Sequence, residues 1–268
     1  MIIEKQILAI GPGQSTIQQA EHFKHLDPKI TTFGIHRVFP YLKINFNFDI
    51  DYWTWADPDA IFEGIDYLNN NPDCIIPKII IPPWFKDIPL FRKFCGTTPV
   101  QRDLKKQQIY KNFIDKHYDN IIFIEPSTSS KLLTIRGQIN SIEDPALRFN
   151  GDQTIFQSVR YDGSHSESNW AKENKFTSHM LPICHFMQAS KVYCVGFDNK
   201  GTRISSHQQL CWNDNSRILP QLEKFDIWSK KWKPYHNIDI ISVAPDEFTR
   251  NNKYLPYEPL KELLCHHE

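Results

Sequence analysis

Gly11, Pro12, Gly13, Gln14 and Ser15 separate an apolar run, "QILAIGP" (6–12), from a polar segment with helical character. Glycine permits positive φ and lets a ligand approach the backbone closely. A helix N-terminus offers unpaired N–H donors and the positive end of the helix dipole. A turn of this composition, at this place, is able to cradle a phosphate. It serves equally as a plain tight turn, and the residues alone leave both readings open. The run lacks Gly-x-Gly-x-x-Gly and Gly-Lys-Ser/Thr, which disfavours a dinucleotide fingerprint or a P-loop.

Other residues of chemical interest also stand where apolar runs end. "ITTFGIH" (30–36) delivers His36 and then Arg37. "DIDYWTW" (49–55) delivers Trp53 and Trp55, with Asp57 just beyond. "KVYCVGF" (191–197) delivers Gly196, Phe197 and then Asp198. If these runs are neighbouring strands, all of these residues gather at one edge of one sheet. The simpler reading of Asp198 is a capping aspartate after a tight turn.

The elements that must position these residues follow from the alternation of patterns. Near-continuous apolar runs also occur at 78–84, 120–126 and 239–245, each ending in or close to Gly, Pro or Asp. Strands buried on both faces have this composition, and they belong to parallel sheets covered by helices. Helical patterns fall between them at about 15–26, 57–71, 101–117, 176–189 and 216–233. The expected fold is α/β, Rossmann-like and doubly wound, with a mostly parallel sheet. Such sheets bind ligands at the carboxyl ends of their strands. Residues 127–175 are polar and rich in turn signals, as a lid inserted into the fold or a surface excursion would be. The chain is read as a single domain over 1–268 with that insertion.

Bulk properties narrow the function classes. The 268 residues are 40% hydrophobic, enough for a sizeable core. Lys+Arg and Asp+Glu are 31 each, so the formal net charge is zero and a nonspecific grip on nucleic acid is disfavoured. The six cysteines are Cys74, Cys95, Cys184, Cys194, Cys211 and Cys265, without a Cys-x-x-Cys pair. They read as reduced thiols of a cytoplasmic protein. Neither a signal-peptide pattern nor an apolar stretch of about 18 residues is present. "DIWSKKWKPYH" (226–236) mixes Trp, Lys and Tyr. It suits an exposed helix end, and it leaves peripheral membrane contact open. Self-association into a homo-oligomer is open as well.

A metal centre is the weaker reading of the acidic and histidine clusters. His22 and His25 are three apart, but no third ligand is tied to them. Cys265-His266-His267 lies where the chain frays. Asp49/Asp51 and Asp57/Asp59 have Asp-x-Asp spacing, yet Asp57-Pro58 reads first as entry into a helix.

Taken in order, "AIGPGQS", "TFGIHRVF", "DYWTWADP" and "FTSHMLPICHFMQASKVYCVGFDNKG" resemble the bacterial sialyltransferases of glycosyltransferase family 42. They are also similar to the wider group that includes motility-associated glycosyltransferases. The resemblance covers roughly residues 6–60 and 176–245. It implies a Rossmann-like domain with a lid, a CMP-activated sugar donor, a saccharide acceptor, and catalysis without metal or cofactor. Carried over, Gly11, Gly13 and Ser15 would hold phosphate, Thr177 and Ser178 would face the donor, and Gly196, Phe197 and Asp198 would bind the nucleoside. His36 stands where those enzymes have an asparagine, and Ala56-Asp57 where they have another. Their phosphate-binding tyrosines have no counterpart in "NKGTRISSHQQ", where Asn199, Lys200 or Arg203 could substitute.

The resemblance also implies a histidine general base before a late helix. His207 is the candidate, and His179, beside Ser178, is the second. An imidazole is able to take the acceptor proton near neutral pH. Arg203 or His36 could offset charge on the leaving phosphate. The expected activity is transfer of a sialic-acid-like sugar to a saccharide hydroxyl. The alternatives are a pyrophosphokinase- or nucleotidase-like enzyme, and a catalytically inactive nucleotide-sugar-binding protein.

Overall fold

A computed structural model of the chain describes residues 5–55, 58–81, 104–126, 133–136, 180, 183–184, 187–197, 204, 238–245 and 256–265. Eight strands form one sheet: β1 (Lys5–Ile10), β2 (Thr31–Ile35), β3 (Tyr52–Thr54), β4 (Lys78–Ile81), β5 (Ile121–Pro126), β6 (Leu133–Arg136), β7 (Ala189–Val195) and β8 (Asp239–Ser242). Their order is β6-β5-β4-β3-β2-β1-β7-β8. Every pairing is parallel except the last on one side, where β6 runs antiparallel to β5. The α/β class and mostly parallel sheet are as the apolar runs predict.

Side-chain alternation along β1 separates two cores. Leu8 and Ile10 point into one, Ile7 and Ala9 into the other, and all four are fully buried. The first core receives α2 (Val38–Phe46) through Val38, Phe39 and Leu42, and α3 (Pro58–Asn70) through Ile61, Ile65 and Leu68. It also receives α4 (Leu104–Lys116) through Phe113. The second core lies on the opposite face, where Met180, Ile183, Cys184 and Met187 pack against Phe33, Ile35, Val192 and Cys194. Burial on both faces explains why these strands have no polar side. Cys74, Cys184, Cys194 and Cys265 are free thiols, and burial pushes the Cys184 thiol far up, which keeps it unreactive.

Three local features depart from the sequence expectations. The predicted helix at 15–26 is α-helical only over α1 (Gln14–Gln19), then tightens to a 3-10 helix over Ala20–His25. Gln19 donates its side-chain amide to the Val243 carbonyl at 2.8 Å, tying this junction to a residue 224 positions away. Helix α2 lies outside the helical patterns expected from the sequence, and it contains Pro40. Proline lies there in the first turn, where backbone N–H groups have no helical partner anyway. Asn47 ends α2 in the left-handed region, with Asn47 N–H bonded to Lys43 and Phe48 N–H bonded to Leu42. Strand β6 falls inside the stretch expected to be an insertion, and the remainder of 127–175 lies outside the described residues.

Packing is close where α3 crosses β3. Trp53 is fully buried, and a Cβ on Gly64 would overlap its indole ring. Gly64→Ala is therefore expected to destabilise the protein even though alanine favours a helix. The propensity gain is about 1 kcal/mol, while inserting a methyl into a filled core costs about 1–3 kcal/mol. The overlap with the indole is severe, so the upper part of that cost applies, and a loss of about 1–2 kcal/mol in urea unfolding is the expected balance. A variant as stable as the parent would mean that the α3–β3 contact is loose.

Candidate functional site

The strand order reverses between β1 and β7, with β2 to β5 running off one way and β8 the other. Ligand crevices of open α/β sheets lie at such switch points, beyond the carboxyl ends of the strands. Ile10 is in register with both Gly34 of β2 and Val195 of β7. Gly11 and Gly196 therefore leave their strands side by side.

The two turns interlock. Gly11 N–H donates to the Val195 carbonyl at 2.8 Å, and Gly13 N–H donates to the Gly196 carbonyl at 2.7 Å. In return, Gly196 N–H donates to Ser15 Oγ at 2.8 Å. The Thr16 hydroxyl donates to the Gly11 carbonyl at 2.7 Å. Gly196 has φ of +75°, and a Cβ there would overlap Thr16 Oγ1 and the Gly11 carbonyl. A Cβ on Gly11 would come within 2.5 Å of the Gly196 carbonyl oxygen. Both glycines are required by close backbone approach, and Gly196 also by its φ.

This geometry changes what the opening turn has to offer. The N–H groups of Gly11 and Gly13, expected to face a phosphate, are engaged in the joint with β7. The Ser15 hydroxyl, with the same expected role, accepts from Gly196. Gly13 is extended, with φ −82° and ψ 174°, so it does not need to be glycine on conformational grounds. Pro12 and Gln14 are half-buried in the first turn, as is Phe197 on the β7 side. The Pro12 carbonyl accepts the N–H of Ile204 at 2.8 Å, which brings the chain after β7 back across the first turn.

The neighbouring strand ends carry the other predicted residues. His36 follows β2 with φ of +57° and is nearly buried, at 5% exposure. Its N–H donates to the Thr54 carbonyl at 2.8 Å, and its carbonyl accepts the Trp53 indole N–H at 2.6 Å. Arg37 directs its guanidinium Nε to Glu63 of α3 at 2.8 Å, a contact that joins α2 to α3. Trp55 was expected to face a ligand. It is instead fully buried, in edge-on contact with Trp53 at 5.0 Å, and belongs to the core. An indole that fills a core and one that lines a pocket look alike in sequence.

Of the acidic pairs, Asp49 bonds to Lys43 at 2.7 Å, and Asp51 accepts the N–H and hydroxyl of Thr32 at 2.7 and 2.8 Å. Asp57, Thr177, Ser178, His179, Asp198, Arg203 and His207 lie outside the described residues. Among the described residues, no helix is long and apolar enough to cross a membrane. The role of Trp53 toward His36 was missed at the sequence level, where only its position before Trp55 and Asp57 was noted.

No family model matches the sequence, and comparison with curated proteins finds no match. Solved structures do share the fold. The Campylobacter jejuni sialyltransferase CstII, solved with CMP-3FNeuAc, superposes with a TM-score of 0.50 at 11% identity. The match covers 98% of this chain and 89% of that one. The monofunctional α-2,3-sialyltransferase Cst-I of the same organism gives a TM-score of 0.48 at 11% identity, covering 95% and 81% of the two chains. The Rossmann-like architecture expected from the motifs is thus the architecture found, and the likeness to sialyltransferase structures extends across nearly the whole chain.

Proposed function

We propose that this chain is a glycosyltransferase that moves a sialic-acid-like sugar from a CMP-activated donor to a saccharide hydroxyl. The observation that carries the reading is the interlocked pair of turns at the β1/β7 switch point, Gly11-Pro12-Gly13 against Gly196-Phe197. It stands at the edge of the sheet where folds of this kind take nucleotides. The fold likeness to a structure holding CMP-3FNeuAc supports the same choice of donor. In this reading Pro12, Gln14 and Phe197 line the nucleotide end, and His36 stands at the adjacent strand end. Thr177, Ser178 and Asp198 complete the donor contacts, Arg203 offsets phosphate charge, and His207 takes the acceptor proton, with His179 the second candidate for that role.

The first test is donor choice. CMP-sialic acid, UDP-sugars and GDP-sugars are offered separately, and loss of intact donor is followed by chromatography. Turnover of the CMP-sugar alone is the expected result. Turnover of a nucleotide without glycosyl release would favour the nucleotidase-like alternative, and binding without turnover the inactive one. Activity is expected to survive EDTA, because the reading assigns departure of the phosphate to protein cations. Loss of activity that manganese restores would move the protein to a metal-dependent class.

Gly13 supplies a second check. Its extended backbone accepts any residue, so Gly13→Val is expected to melt within a few degrees of the parent. A branched side chain at the mouth would nevertheless crowd a bound nucleotide, and CMP affinity is expected to fall about tenfold or more. Isothermal titration calorimetry reads this directly. Unchanged CMP affinity in the folded variant would reduce the opening turn to a structural joint.

A further inference from the structure

Three non-glycine residues among those described have positive φ: His36, Asn47 and Gln188. Asn47 caps α2, where a left-handed residue is expected. Gln188 precedes β7, at the amino edge of the sheet. His36 alone stands at the carboxyl edge, directly after β2 and one strand from the switch point. A left-handed non-glycine residue after a strand is strained, and it persists only where its surroundings over-determine it. Glycine would make this turn without strain.

The surroundings that hold His36 are on both sides of its backbone. Its N–H is fixed to the Thr54 carbonyl, and its carbonyl to the Trp53 indole N–H at 2.6 Å. The indole itself has no freedom to turn. Trp53 is fully buried, packs against Trp55 at 5.0 Å and Phe39 at 5.2 Å, and closes over Gly64. Packing accounts for the indole rings at 53 but places no demand on their N–H. The N–H adds a directed bond to the carbonyl of the left-handed His36.

We propose that Trp53 is a positioning residue for the nucleotide site: its indole N–H holds His36 in the left-handed conformation and so fixes where the imidazole stands beside the switch point. The proposal rests on the reading that this edge binds a nucleotide. Trp53 does not touch the ligand and acts only through His36. Strain of this kind concentrates at ligand-binding edges because it pre-sets a side chain before the ligand arrives.

The test replaces Trp53 with 3-benzothienylalanine, which keeps the two-ring shape and has sulfur in place of N–H. Trp53→Phe is the encoded counterpart. Each is made in the parent and in His36→Gly, with folding checked by circular dichroism. In the parent, loss of the N–H is expected to weaken CMP about tenfold, as the competent conformation becomes a minor one. In His36→Gly, where nothing needs holding, the same replacement is expected to change CMP affinity less than about twofold. Equal losses in both backgrounds, or no loss in the parent, would overturn the proposal. Hydrogen exchange of the His36 amide reads the same coupling without ligand. Exchange is expected to speed up when the indole N–H is removed from the parent, and unchanged exchange would also overturn the proposal. If the parent binds no CMP, the donor reading fails, and the exchange experiment still decides the role of Trp53.

Discussion

Gly196→Ala is expected to destabilise the protein by about 3–5 kcal/mol, a large share of the roughly 5–15 kcal/mol that holds a domain together. Two costs add at this one position. Alanine at φ of +75° carries strain of about 1–3 kcal/mol. Its Cβ would also overlap Thr16 Oγ1 and the Gly11 carbonyl, and overpacking of this kind costs a further 1–3 kcal/mol or so. The neighbours have little room to yield, because Gly11, Gly13 and Ser15 are all bonded into the β7 turn. Gly11→Ala lacks the φ cost, though its Cβ meets the Gly196 carbonyl at 2.5 Å and the Phe197 ring at 2.9 Å, so it is expected to cost less. Gly13→Ala, at an extended residue, is expected to cost least. Urea unfolding followed by far-ultraviolet circular dichroism ranks the three. A Gly196→Ala variant within about 1 kcal/mol of the parent would show that the turns can separate freely.

That ranking also explains how much of the site could be read from residue types. "AIGPGQS" announces a turn after a buried strand, and it does form one. Its partner is Gly196, 185 positions later, and nothing near Gly11 in the sequence says that the two backbones touch. The phosphate-cradle expectation counted N–H donors as though the turn stood alone. The structure directs two of them to Val195 and Gly196. Donor counting from sequence is thus least secure where a turn sits between two strands, each able to claim its amides.

Elements were legible in proportion to how locally they are determined. The seven apolar runs became β1 to β5, β7 and β8, because a strand buried on both faces has to be apolar throughout. Strand β6, "LTIR", alternates apolar and polar residues and has no continuous apolar run to announce it. Helix α2 is short and carries Pro40 in its first turn, a residue whose meaning depends on which turn of a helix it occupies. The break in the first helix at Gln19 depends on a carbonyl from the far end of the chain. Trp53 and Trp55 show the same limit in one tripeptide. Both are buried, and what separates them is that the Trp53 indole N–H reaches a strained carbonyl on the next strand.

His207→Ala is expected to lower turnover of the CMP-sugar about 10²–10⁴-fold, the usual contribution of a general base, with CMP affinity nearly unchanged. His207 lies outside the described residues. The N–H of Ile204 is bonded to the Pro12 carbonyl at 2.8 Å, and Ile204 is buried. A base acts on the acceptor proton only as the new bond forms, so its loss falls on the rate and leaves donor binding alone. A residue that merely supports the turn would weaken CMP and turnover together. His179 adjoins Met180, which is fully buried in the second core. His36 is fixed by its backbone at the end of β2. The three alanine variants therefore separate three roles. Loss of rate in His207→Ala alone supports the assignment. Loss in His179→Ala with His207→Ala intact transfers the base to His179. Full activity in all three would mean that no histidine among them takes the proton, and that the resemblance fails at the residue that performs the chemistry.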